Sequence, residues 1–236
     1  MPKVSSISVF FPCYNEEANV ENMVRKAQLI LPELAEKWEI IPVNDGSKDK
    51  TGEIINRLAK EDPNVHPVHH EKNKGYGGAV ISGYNASKYD LVFFTDGDLQ
   101  FDLREITLLI EKLDEGDLVL GFRKNRRDPW HRKLNAYLWG SLVKTLFGFK
   151  VKDVDCAFKL IKRRVIDKVQ LSAGGAMVST ELLARANRAG FRFVQVGVTH
   201  YPRTAGTQTG ASLKVILRAF GELFKLYGKI KNQSPS

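Results

Sequence analysis

The chain has 236 residues, 43% hydrophobic and 27% charged, a balance that argues against a disordered or fibrous protein and suits one large globular domain. Its 36 Lys and Arg against 27 Asp and Glu leave a formal charge of +9. That excess points to an anionic partner, whether a nucleotide, a nucleic acid or lipid headgroups, without choosing among them.

Only Cys13 and Cys156 are present, in unrelated segments and without metal-ligand spacing, so buried, reduced thiols are expected rather than a disulfide framework or a zinc site. No apolar leader follows Met1-Pro2-Lys3, and no apolar stretch reaches the length of a membrane span; the expected location is cytoplasmic.

In chain order, short apolar runs alternate with helix-period segments from Ile7 to about Gly121, the pattern of βαβ units in a mostly parallel α/β sheet. Strands are predicted at Ile7 to Phe11, Glu39 to Val43, Val65 to His69, Leu91 to Phe94 and Leu118 to Gly121. Helices are predicted at Glu17 to Leu31, Thr51 to Ala59, Gly78 to Ser87 and Leu103 to Leu113. Beyond Phe122 a basic run from Arg123 to Lys133 leads into an apolar and aromatic helix, Leu134 to Phe149. A strand at Ala157 to Ile161, a helix at Ser179 to Ala189, a strand at Phe193 to Val198 and a last helix at Ser212 to Ile230 complete the reading.

The turns after the strands carry the chemistry. Behind Leu91-Val92-Phe93-Phe94 stands Thr95-Asp96-Gly97-Asp98-Leu99-Gln100. Carboxylates two positions apart at a strand end point the same way, which suits Mg²⁺ or Mn²⁺ shared with nucleotide phosphates; an acidic Asp-Gly turn is the equal alternative. Pro12-Cys13-Tyr14-Asn15-Glu16-Glu17 lies where the first strand meets the first helix, as a ligand crevice, with Asn15 as a helix cap the plainer reading. Val43-Asn44-Asp45-Gly46-Ser47 repeats the arrangement and offers Asp45 to a nucleobase, or forms an Asx turn. Asn73-Lys74-Gly75-Tyr76-Gly77-Gly78 could bring backbone close to a phosphate or ribose, although it has neither Walker A nor Rossmann spacing.

Those four turns, in this order, resemble the family 2 glycosyltransferases of GT-A fold, above all the dolichol-phosphate mannose synthases and polyprenyl-phosphate glycosyltransferases, over roughly Ser8 to Lys225. The resemblance implies that Pro12, Tyr14, Asn15, Glu16 and Asp45 line a nucleotide pocket with Lys74, Gly75 and Gly97. It also implies that Asp96, Asp98 and Gln100 hold the cation and the donor diphosphate. Asp153-Val154-Asp155-Cys156-Ala157-Phe158-Lys159 resembles the family's Asp-x-x-x-Gly-Phe-Arg segment, with Lys159 for the usual Arg, and leaves Asp153 and Asp155 as rival carboxylates. Glu181 could reach a sugar hydroxyl or be an ordinary helix-start Glu. Arg203, in His200-Tyr201-Pro202-Arg203-Thr204-Ala205-Gly206, is the implied phosphate clamp.

The implied activity is metal-dependent, inverting transfer of a hexose from GDP-mannose or UDP-glucose to a polyprenyl or dolichyl phosphate. Asp98, Asp153, Asp155 and Arg203 are its catalytic candidates. Residues 1–230 would form one catalytic domain, with a nucleotide-sugar half to 122, an acceptor and membrane-facing half from 123, and a polar tail at 231–236.

Apolar residues at helical spacing among lysines in the last helix, and the aromatic run Trp130 to Phe149, suit an anionic bilayer surface on the cytoplasmic side, reached directly or through a membrane-anchored partner. Docking on the protein's own core is the competing reading. A saccharide acceptor, or a non-catalytic nucleotide- or nucleic-acid-binding module, are the alternatives; the absence of any nucleic-acid-binding motif argues against nucleic acid.

Overall fold

Short runs rich in β-branched and aromatic residues, bounded by turn formers, become the strands of one seven-stranded sheet. The computed structural model describes residues 3–124, 130–175, 177–202 and 213–232, with 130–137 and 213–220 described as backbone. In chain order the elements are β1 (Val4–Cys13), α1 (Val20–Leu34), β2 (Ala35–Asn44), α2 (Thr51–Glu61), β3 (Val68–His69), α3 (Gly75–Ala86), β4 (Leu91–Thr95) and α4 (Ile106–Ile110). There follow β5 (Leu118–Arg123), α5 (Trp130–Phe147), β6 (Phe158–Lys162), α6 (Arg163–Lys168), α7 (Val178–Arg188), β7 (Phe193–Val198) and α8 (Leu213–Lys231).

The strand order is β3-β2-β1-β4-β6-β5-β7. β6 runs antiparallel to both neighbours, and the other pairings are parallel. Val9 pairs with Ile40 on one side and Phe93 on the other, so the carboxyl ends of β1, β2 and β4 open on the same edge. Helices pack on the sheet around Phe10, Phe93, Phe94 and Phe158, all buried. Phe10 stacks on Phe94 with centroids 5.1 Å apart, and Phe93 meets Phe158 edge-on at 4.7 Å; each such ring contributes about 1.5–3 kcal/mol by burial. Cys13 and Cys156 are buried free thiols.

Three expectations shift. α1 starts at Val20 rather than Glu17, because Glu16 O accepts both Asn19 N and Val20 N and the preceding residues are drawn into a turn. The helix expected over Leu103 to Leu113 is broken into a 3₁₀ turn, the short α4 and a second 3₁₀ turn; Asp102 accepts from Arg104 N and starts the first tight turn.

The third concerns the last helix. In the second half of α8, Leu223, Leu226 and Ile230 are buried while Phe224 is 58% exposed. Leu223 therefore serves the protein's own core rather than a bilayer face. Arg188 Nη1 donates to Ile230 O at 2.7 Å and Tyr227 meets Phe147 at 5.8 Å, fastening α8 to α7 and α5. Among the described residues no helix is long and apolar enough to cross a membrane.

Candidate active site

Two loops at the carboxyl ends of β1 and β2 are stitched together residue by residue. Asn15 N donates to Ser47 Oγ at 3.0 Å, and Lys48 N donates to Asn15 Oδ1 at 2.9 Å. Glu16 N donates to Thr51 Oγ1 at 2.8 Å, and Lys50 N to Glu17 Oε2 at 3.0 Å. Asn15, at φ +55°, is thus a cross-loop acceptor; the residue preceding α1 is Asn19, which caps nothing with its side chain. Asn44 Oδ1 closes the β2 loop by accepting Ser47 N at 3.0 Å, and it is Asp49 that bonds the N–H two residues on, accepting Thr51 N at 3.0 Å where α2 starts.

Asp45 is buried behind this seam. Its Oδ1 accepts Lys74 N at 2.8 Å and lies 2.6 Å from His70 Nδ1, whose Nε2 is 2.9 Å from Ser82 Oγ. With a carboxylate beside Nδ1, that nitrogen carries a proton. One oxygen of Asp45 is thereby committed to the protein.

β4 ends at Thr95, so Asp96 and Asp98 sit in the turn beyond the strand, not along it. Strand alternation is therefore not what brings them together. The turn does so, with Leu99 at φ +61°, a conformation non-glycine residues rarely hold outside functional turns. Gly97 lets the turn press on β1: a Cβ there would lie 3.0 Å from Pro12 O.

Asp96 accepts the Tyr76 hydroxyl at 2.9 Å. Burial, reinforced by the charge of Asp98, pushes the Asp96 carboxyl up to about 7. Asp98 Oδ1 accepts Gln100 N at 3.2 Å, while Gln100 Nε2 donates to Tyr201 O at 2.9 Å.

The result is one cavity of about 570 Å³, lined by Pro12, Tyr14, Asn15, Glu16, Asp45, Gly75, Asp96, Gly97 and Asp98 together with Cys13, Asn73, Tyr76 and Ala79. Gln100, Lys74 and Glu181 are not among its lining residues. The paired carboxylates suit a hard divalent cation, since a shared cation offsets both the burial and the charge of Asp98 that keep Asp96 protonated. Among the described residues no group of three or more His, Cys, Asp or Glu is placed to hold a metal, so a substrate diphosphate and water would have to complete the shell.

Arg123, at the end of β5, grips Asp153 through Nε at 2.7 Å and Nη2 at 2.9 Å. This bidentate pair is largely buried, with side chains 18% and 11% exposed, and the Asp153 partner holds Arg123 above its ordinary pKa against the cost of burial. Asp155 is exposed. Lys159 is buried on β6, donating to Cys156 O, with its ammonium 5.7 Å from the Phe94 ring. Burial lowers its pKa.

Glu181 is fully buried and accepts from Ser172 N and Ala173 N, both at 2.7 Å, Ser172 Oγ at 2.8 Å and Arg185 Nε at 2.9 Å. These hydrogen bonds hold its pKa low against burial, and the carboxylate anchors a loop. Arg203 lies outside the described residues. Sequence reasoning missed Tyr76, Arg123 and His70. The signals present were an aromatic set between glycines before a helix, an Arg ending a strand, and a His following β3.

An open, mostly parallel sheet with a polar cavity at its carboxyl edge and an Asp-x-Asp turn in that cavity defines a GT-A protein. The chain belongs to glycosyl transferase family 2, whose sequence profile matches residues 8–170. It is 30% identical over 216 residues to the undecaprenyl-phosphate 4-deoxy-4-formamido-L-arabinose transferase of Proteus mirabilis, covering 91% of this chain and 65% of that one. It is 31% identical over 209 residues to glycosyltransferase AglD of Haloferax volcanii, covering 84% of this chain and 33% of that one. The chain thus spans just under two thirds of the first relative and one third of the second.

The structure superposes with a TM-score of 0.73 on glucosyl-3-phosphoglycerate synthase from Mycobacterium tuberculosis in complex with Mn²⁺, UDP-glucose and phosphoglyceric acid. The match covers 95% of this chain and 80% of that one at 20% identity, a likeness of fold.

Proposed function

We propose that the protein is a metal-dependent inverting glycosyltransferase, moving a hexose from a nucleotide-diphosphate sugar, GDP-mannose or UDP-glucose, to a polyprenyl or dolichyl phosphate at the cytoplasmic face of a membrane. The observation that carries this is the single cavity in which turns from β1, β2 and β4 meet two carboxylates. The name of the Proteus mirabilis relative, with its undecaprenyl-phosphate acceptor, supports the lipid phosphate.

Asp45, immobilised by His70 and Lys74 N, presents its remaining oxygen to the nucleoside. A divalent cation held by Asp96 and Asp98 would neutralise charge building on the departing diphosphate. Arg123, with Nε and Nη2 committed to Asp153, leaves Nη1 for an acceptor phosphate. Such a phosphate, with a second pKa of about 6, is already anionic near neutrality, so Asp153 orients Arg123 rather than removing a proton. Arg203 is the further candidate for a phosphate contact.

The test is a nucleotide panel with Mn²⁺ read by melting temperature, followed by transfer assays on polyprenyl phosphate and on soluble sugars. Stabilisation by GDP or UDP, and glycosyl transfer confined to the lipid phosphate, is the expected result. Activity on soluble sugars alone would give the saccharide-acceptor reading, and no nucleotide response at all would give the non-catalytic one.

A further inference from the structure

The wall of the nucleotide cavity is backbone against backbone. Gly75, at φ +80°, lines the cavity, and a Cβ on it would lie 3.1 Å from Gly174 O; a Cβ on Gly77 would lie 2.3 Å from Ala173 O. Behind the same 172–175 segment is a second cavity of about 400 Å³, closed on its other side by α8. Lys74, Lys225 and Lys229 line it against the one acidic residue Glu222.

Its floor is fixed. The buried Glu181 holds Ser172 N and Ala173 N, and Lys229 Nζ donates to Ser172 Oγ at 2.6 Å. Lys225 has no hydrogen bond or ion pair among the described residues. Cations converging on an open polar space gain most from an anion of more than one charge and several acceptor oxygens, and lysine recognises phosphate as a point charge.

We propose that this second cavity binds a phosphate group, separately from the nucleotide cavity, through Lys74, Lys225 and Lys229. The phosphate comes from a lipid headgroup or from free phosphate; Phe224, exposed and next to Lys225 in the chain, is an apolar contact that a bilayer surface would take up. Lys74 stands between the two cavities, lining the second while its N–H holds Asp45 at the first. The site stands whether or not the protein transfers sugars.

The test compares Lys225→Gln with Lys231→Gln in the full chain. Both remove one charge from α8, but Lys231 lies outside the cavity, over the Tyr227 ring. Inorganic phosphate binding is measured by calorimetry, and vesicle binding by co-sedimentation with phosphatidylcholine containing phosphatidic acid. Lys225→Gln should weaken phosphate binding about fivefold, with Lys231→Gln close to wild type.

If inorganic phosphate displaces the protein from vesicles, the headgroup is the source; saturable binding of phosphate with vesicle binding insensitive to Lys225→Gln makes free phosphate the source. Both outcomes support the site. Equal losses in the two variants, or no saturable binding of either probe, would overturn it.

Discussion

Metal binding at the Asp-x-Asp turn should be proton-linked, and the structure sets the pH at which this shows. Burial and the charge of Asp98 hold the Asp96 proton up to about pH 7 in the metal-free protein, so an arriving cation must displace it. With that value Asp96 is about one-eleventh ionised at pH 6 and about ten-elevenths at pH 8, so the apparent affinity for Mn²⁺ should rise about tenfold across the interval.

Tyr76→Phe deletes the phenolic hydrogen bond that favours the ionised carboxyl and should move the curve to higher pH. Titrating Mn²⁺ alone, followed by the electron paramagnetic resonance of the free ion, avoids the ionisation of nucleotide phosphates. An affinity that stays level between pH 6 and pH 8 would refute the reasoning. The same linkage has a stability side. The folded carboxyl binds its proton more tightly than the unfolded chain, whose value is 3.8, so the contribution is fully present below about pH 4 and is lost as the pH rises through about 7. Mn²⁺ should offset that loss.

Asp153→Asn leaves the largely buried Arg123 without its counter-charge and should cost about 2–3 kcal/mol in urea denaturation, whereas the exposed Asp155→Asn should stay within about 0.5 kcal/mol. Initial rates should follow the same order, and a larger loss at Asp155 would reverse the assignment. Gly77→Ala drives a methyl group into Ala173 O and should cost about 1–3 kcal/mol as overpacking; an unchanged melting temperature would show that the 172–175 segment yields freely. Phe224→Ser should leave stability almost unchanged but reduce co-sedimentation with anionic liposomes, while Leu223→Ser, in the core, should lower the melting temperature. Unaltered liposome binding by Phe224→Ser would remove α8 from the membrane surface.

Much of this was legible in the chain itself. Strand and helix alternation follows from local hydrophobic period, and the turns around Asn15, Asp45, Gly75 and Asp96 were recognisable because turn residues and acidic groups cluster after apolar runs. The reduced state of Cys13 and Cys156 followed from their number and spacing.

Tertiary structure decided the rest, since it concerns pairings between residues far apart in the chain. The antiparallel insertion of β6 between β4 and β5 places Lys159 beneath Phe94, where no local pattern marks it as buried. Glu181, readable as a sugar contact or a helix-start acid, is instead enclosed by the 172–173 backbone. Asp153 is defined by Arg123, 30 residues away, and Asp96 by Tyr76, 20 residues away. Helical period in α8 shows an apolar stripe, but only packing against α5 and α7 separates Leu223, which the core consumes, from Phe224, which it leaves outside. Periodicity reports that a face is apolar; what covers that face is settled by the shape of the neighbours.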